Sequence, residues 1–327
     1  MYMLNIGLTI CSYFIKSRNT SEKDGILNLN DAHHFVIDNK DTKPVVYSDV
    51  MSVFEDFFTK YSAIRDNEEE YKLFSCQCLR TGETDDFKYL YGTVHSGSYG
   101  IEADITNRQS LEIVYEKKPD DAEVKKFYVM IIIPKDSNQI KIQKGLLLCQ
   151  SIGTYGVKTI TTKYMRNFFA NLKVTLEFRS VSLGIFLENL FNHGFLKKLT
   201  YVKNRISPDF SDNISLPKGK EEISFVNPKL EDSFIEKIKT FILGKNNNTL
   251  KEIPLYSYDN LKMTFELNSK IRTINLNDLD KLSISESVPR SVQLPNGMPD
   301  ENKLFEHMKT TAREYLQKMA QEVTEKV

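Results

Sequence analysis

Between Gly145 and Arg205 the hydrophobic period changes from that of a strand to that of a helix and back, twice over. That alternation restricts the chain to folds that mix helices with strands. Leu146–Cys149 is a short apolar run of the kind that forms a buried strand. Ile160, Tyr164, Phe168 and Leu172 recur every fourth residue and predict a helix over Lys158–Leu172. Val174, Leu176 and Phe178 alternate as a strand. Ser182–Asn192 is amphipathic, with Gly194 where a left-handed helix end is expected, and Phe195–Ile206 reads as a strand closed by Ser207-Pro208.

The rest of the chain has the same mixed character. Met3–Ile15 is rich in β-formers and too short for a bilayer span. Ser48 stands as an N-cap before Val50, Val53, Phe54, Phe57, Phe58 and Ile64, which repeat at helical spacing. Tyr71–Leu79 and Phe87–His95 alternate as strands, and Ser96–Gly100 reads as a turn. Leu111–Tyr115 and Phe127–Ile133 predict an antiparallel hairpin around a polar loop. Ser233–Leu243 predicts a helix, and Lys262–Leu267 with Ile271–Leu276 a further hairpin. Pro289, Pro295, Gly297 and Pro299 mark an extended linker. Asp300 then caps a long C-terminal helix whose stripe of Leu304, Met308, Tyr315, Met319 and Val323 serves either to dock on the body or to form a homodimer. The expected fold is α+β, with mixed sheets and packed helices. It divides into an N-terminal lobe (1–140), a basic β-α-β-α-β lobe (141–282), a linker (283–299) and the C-terminal helix (300–327).

Composition excludes several function classes. The chain has 44 Lys and Arg against 44 Asp and Glu, so no global charge draws it to nucleic acid or an anionic membrane. Any such binding has to come from local asymmetry. The four cysteines, Cys11, Cys76, Cys78 and Cys149, form no C-x-x-C pair and have no histidine near them in sequence, so no metal or other cofactor is expected. They read as reduced, buried thiols of a cytoplasmic protein without membrane insertion.

Charge is lopsided only between Gly156 and Pro208. Lys158, Lys163, Arg166, Lys173, Arg179, Lys197, Lys198, Lys203 and Arg205 face only Glu177 and Glu188 there. If Lys158, Lys163, Arg166, Arg179, Lys197, Lys198, Lys203 and Arg205 gather on one surface they can neutralise several phosphates of DNA, a binding mode without sequence preference. Tyr155, Tyr164, Phe168 and Tyr201 lie among them and could stack on bases if exposed. Gly153-Thr154-Tyr155-Gly156 precedes the predicted helix as a candidate anion nest, although it matches neither G-x-G-x-x-G nor a P-loop.

A second chemistry is a magnesium-dependent nuclease. Asp104 followed by Glu116-Lys117-Lys118 fits an acidic residue on one strand and an acidic-x-Lys triplet on the next, with Glu102 in support. In that scheme Asp104 and Glu116 hold the ion and Lys118 orients the attacking water. The third reading is a protein-interaction subunit of a larger complex.

Past the basic strand the chain reads Ser207-Pro208-Asp209-Phe210-Ser211-Asp212 and later ends in a helix rich in Met and Tyr. This resembles phage-exclusion proteins of the RexA type and related prokaryotic defence-island proteins. Ser207, Pro208, Phe210, Ser211 and Asp212 carry the resemblance. It implies DNA binding without sequence preference, dimerisation and a part in abortive infection.

Overall fold

The computed structural model describes residues 6–17, 25–31, 36–37, 45–136, 143–153, 155–179, 181, 191, 194–203, 220–229, 231–242, 260–267, 270–275 and 284–324. The chain forms two compact units, one of residues 1–178 and 285–317, the other of 179–284 and 318–327.

The first unit is built on a nine-stranded sheet. Its strands are β1 (Ile6–Ser17), β4 (Arg65–Asn67), β5 (Lys72–Glu83), β6 (Phe87–Ser98), β9 (Glu123–Pro134), β10 (Gly145–Ile152), β11 (Tyr155–Gly156), β12 (Val174–Arg179) and β17 (Ile284–Ser287). Two small two-stranded pairs lie outside it: β2 (Val36–Ile37) with β3 (Val45–Val46), and β7 (Ala103–Thr106) with β8 (Ile113–Lys117). The order across the large sheet is β12-β1-β10-β9-β6-β5-β4, with β11 on β10 and β17 on β1. Neighbours from β1 to β4 along this order pair antiparallel.

Why β1 sits inside is legible in its side chains. Every residue from Ile10 to Ile15 is buried, so both faces of the strand are covered. On one face Cys11, Tyr13 and Ile15 join Leu90, Val94, Phe127, Val129, Ile131, Leu147 and Cys149 in the main core. Two helices close this face. Helix α1 (Val50–Lys60) supplies Phe54, Phe57 and Phe58, and α2 (Lys158–Asn171) supplies Ile160, Met165, Phe168 and Phe169. The rings interlock: Phe54 stands edge-on to Tyr13 at 5.3 Å, and Phe57 to Phe168 at 5.6 Å. Gly92 lets Phe58 reach the sheet, because a Cβ there would lie 2.7 Å from the Phe58 ring. The capping residue of α1 is Asp49, one position after the expected Ser48. Its carboxylate accepts from the Ser52 backbone N–H at 3.0 Å and meets Lys88 Nζ at 2.6 Å, which ties the helix start to β6.

The opposite face carries Tyr89, Tyr91, Tyr128 and Met130, and the long helix Glu301–Thr324 lies against it. Phe305 packs between the Tyr89 and Tyr91 rings at 5.5 and 5.0 Å, with the Arg80 guanidinium 4.9 Å from its own ring. Tyr128 Oη donates to Glu301 Oε2 and Tyr91 Oη to the Glu301 carbonyl oxygen. A bulge in β5 between Cys78 and Arg80 turns Arg80 to this face, where it bonds Glu301 and Asn302. Asp300 caps the helix as expected, accepting from Lys303 N at 3.0 Å. Leu304, Phe305, Met308, Ala312 and Tyr315 are buried. The expected stripe from Leu304 to Tyr315 is thus spent on the chain's own body and is not free to build a dimer.

In the second unit a four-stranded antiparallel sheet runs β14 (Glu221–Val226), β13 (Phe195–Lys203), β15 (Asn260–Leu267), β16 (Lys270–Asn275). Leu196, Leu199, Leu261, Met263, Phe265 and Ile274 form its core, with Ile238 of α3 (Asp232–Ile242). The docked C-terminal helix is therefore α4.

The α+β class and most local elements match expectation, but the lobes are joined differently. β10 and β12 belong to the large sheet and α2 packs on its face, while β13 belongs to the second unit, so the expected β-α-β-α-β stretch is divided between the two. The cause is non-local pairing: β1 aligns with β10 across more than a hundred residues, as Ile10↔Leu148 shows. Leu111–Tyr115 pairs within the β7–β8 hairpin, and β9 pairs with β6 and β10. The expected linker 283–299 contains β17, a 3-10 turn at Arg290–Val292 and a Gln293↔Pro299 bridge. The predicted helix Ser182–Asn192, apart from Phe191, lies outside the described residues. Among the described residues no helix is long and apolar enough to cross a membrane.

Two outcomes follow. Phe305→Ala should cost about 3–5 kcal/mol of unfolding free energy in denaturant melts, since it empties the contact that docks α4. Cys11, Cys76 and Cys149 are buried and Cys78 is exposed. Burial pushes the Cys11 thiol up to about 11. An Ellman titration should therefore find one reactive thiol in the native protein, with the remaining three reacting only after denaturation.

Candidate functional site

The first turn of α2 opens onto a groove of about 440 Å³ in the first unit. Its floor is set by strand register. Lys72 of β5 pairs with Ser98 of β6, which pairs with Glu123 of β9; one step along, Ser96 pairs with Lys125. Strand alternation turns all five side chains to the face that α2 covers. The chain enters α2 by a tight reversal: Gly153, at φ +57°, lets β11 fold back on β10 with Ile152 opposite Tyr155 and Ser151 opposite Gly156. That reversal places Tyr155, Gly156, Val157, Thr159 and Ile160 along the other wall.

The electrostatics of this groove favour an anion. Among the described residues no side chain caps α2, and its first turn contains no acidic residue, so its positive end is met by no capping oxygen and Glu123 is the carboxylate that lines the groove beside it. Lys72 and Lys125 contribute two cations against Glu123. Lys125 lies 4.1 Å from the Tyr155 ring centroid and pairs with Glu123. Lys72 Nζ is 3.9 Å from Glu70, whose carboxylate mainly engages Lys163. The hydrogen bond from Lys163 holds the Glu70 carboxyl below its ordinary range and raises Lys163 in return. Ser96, Ser98 and Thr159 add hydroxyl donors.

The basic residues of the sequence do not gather as a single patch on one unit. Lys158, Lys163 and Arg166 lie on α2; Lys163 is bonded to Glu70, and Arg166 stacks on Phe178 at 5.2 Å. Arg179 ends β12. Lys197, Lys198 and Lys203 lie on β13 in the second unit. Lys197 sits in a bulge and pairs with Glu266 at 2.8 Å. Lys198 is exposed, and its position in β13 gives it the opposite face from Lys203. Arg205 and the Ser207–Asp212 turn lie outside the described residues. Of the aromatics proposed to stack on bases, Phe168 is core and Tyr155 is exposed.

The nuclease residues come together in part. Asp104 of β7 stands directly opposite Glu116 of β8, and the Lys118 backbone N–H donates to Asp121 Oδ2 at 2.8 Å. Both carboxylates are exposed. Among the described residues no group of three or more His, Cys, Asp or Glu could hold a metal ion.

Lys72, Ser96, Ser98 and Lys125 carry no motif. Their one signal in the sequence is parity, since Ser96 shares a face with Ser98, and Lys125 with Phe127. Parity predicts a common face without saying which helix covers it. No protein-family model and no curated protein matches this chain.

Proposed function

We propose that this is a non-enzymatic DNA-binding protein that engages the phosphate backbone without reading sequence, acting in the cytoplasm. The observation that carries the reading is the uncapped start of α2 facing Lys72, Lys125 and three hydroxyls in one groove. A helix N-terminus with adjacent lysines and hydroxyls is built to receive a phosphate oxygen. Lys158 at the same helix start supplies a further cation for a neighbouring phosphate. A role in excluding infecting phage rests on the Ser207–Asp212 resemblance alone.

The second reading, a magnesium-dependent nuclease, is favoured by the Asp104–Glu116 pairing. Two exposed carboxylates would leave a bound ion most of its water, and a bare pair gives weak control over an attacking water.

Gel shifts on duplex DNA should show binding that weakens steeply with salt. Lys72→Ala/Lys125→Ala should flatten the salt dependence by about two logarithmic units of slope and weaken binding by about ten-fold at low salt. Binding that ignores salt, or a double variant that behaves like wild type, would refute the groove as the contact. Plasmid incubated with magnesium should remain supercoiled; nicking that Glu116→Ala abolishes would establish the second reading instead.

A further inference from the structure

The β7–β8 hairpin is an arm. It continues the β6–β9 ribbon beyond the last sheet pair, Ser98↔Glu123, through a Gly100 N to Pro119 O hydrogen bond of 2.6 Å. Lys117 Nζ bonds the Ile101 carbonyl oxygen at 3.0 Å, and Tyr115 Oη bonds Asp121. The whole of β7 is exposed, and so is β8 as far as Glu116. Its apolar residues are in water: Ile101 is 74% exposed, Leu111 78% and Val114 61%. At the tip Leu111 adopts φ +59°, a conformation disfavoured for a branched side chain. A two-stranded ribbon with no core is marginal alone, and a row of exposed apolar side chains beside an open strand edge is a template for another strand. Among the described residues the outer edge of β8 pairs with no strand.

Charge decides what that strand is. Residues 101–121 carry six carboxylates and three cations, which excludes nucleic acid and anionic lipid as the occupant. Along residues 112–118, which are β8 and the residue on each side of it, the charges run from Glu112 through Glu116 to Lys117 and Lys118. An antiparallel copy of the same strand is therefore its complement. With the two-fold axis at Tyr115, Glu112 of each copy faces Lys118 of the other, and Val114 faces Glu116. An axis one residue earlier sets Glu112 against Glu116; one residue later, it sets Glu116 against itself. One register among these three avoids carboxylate apposition.

We propose that the arm is a homodimerisation element: β8 pairs antiparallel with β8 of a second copy about an axis at Tyr115, giving a four-stranded β7-β8-β8-β7 ribbon. Because the contact is isologous, each charge pair occurs twice per dimer. This proposal is independent of DNA binding and does not use the face of α4.

The test is sedimentation velocity on the full chain. Wild type should shift from monomer to dimer across the micromolar range. Glu112→Lys and Lys118→Glu should each weaken the dimer by about ten-fold or more, because each turns two attractions into repulsions. An equimolar mixture of these two single variants should form heterodimers, since both 112–118 pairs are then opposite in sign. In a Cys78→Ser background, Tyr115→Cys should give a covalent dimer on mild oxidation. Wild type that stays monomeric throughout, single variants that dimerise like wild type, or a mixture that forms no heterodimer would each overturn the proposal.

Discussion

The close approach of Tyr13 to Gly145 is the contact on which the rest of the first unit depends. Tyr13 is fully buried at the centre of β1, and its hydroxyl donates to the Ile132 carbonyl oxygen at 3.0 Å. The ring lies where a side chain on residue 145 would be: a Cβ there would stand 2.3 Å from Tyr13 Cζ and 2.5 Å from the Ile132 oxygen. Glycine is required by that contact. With it, β1, β10 and β9 can lie side by side, with Tyr13 opposite Gly145 and Leu146 opposite Ile132. The same ring meets Phe54 of α1 and Phe178 of β12, so it joins strands and helix in one core.

From that alignment the groove follows. β9 and β10 stay paired from Leu146↔Ile132 to Cys149↔Val129. Beyond it, β10 turns back through Gly153 into β11, while β9 continues beside β6. The Gln150 side chain satisfies the Tyr128 N–H, at 2.9 Å, where the ladder ends. The start of α2 is delivered over the part of β9 and β6 that β10 no longer covers. Lys125, Ser96 and Ser98 are thereby opposed to a helix terminus. The site is a by-product of where two strands part, which explains why no contiguous motif encodes it.

Much of the fold was legible in the sequence, and the legible part is the local part. The four-residue stripe of Ile160, Tyr164, Phe168 and Leu172 predicted α2 to within one residue, since helical periodicity is read within a single segment. Asp300 and the Leu304–Tyr315 stripe did the same for the start and the apolar face of α4, while periodicity left open whether that face docks or dimerises. The local β15–β16 hairpin was legible, but distant strand partners were not. β1, β10, β12 and β17 come from distant parts of the chain, and alternation fixes a strand's faces without naming its neighbours. The same limit applied to the site. A run of lysines and arginines looks like one surface, yet Lys163 is held by Glu70 and Lys197 by Glu266, each acidic partner distant in sequence. Asp104 and Glu116 do meet, but through the β7–β8 hairpin, where the sequence had pointed to Leu111–Tyr115 pairing with Phe127–Ile133.

Hydrogen exchange read by mass spectrometry, with and without duplex DNA, tests the proposal that the α2 groove receives a phosphate most directly. Among the described residues no side chain caps the start of α2, so a phosphate seated there should slow the exchange of its first-turn N–H groups. The account predicts protection in peptides covering the start of α2 and the Glu123–Phe127 end of β9, and none in the β7–β8 arm. DNA that protects other segments while leaving the start of α2 unchanged would contradict it.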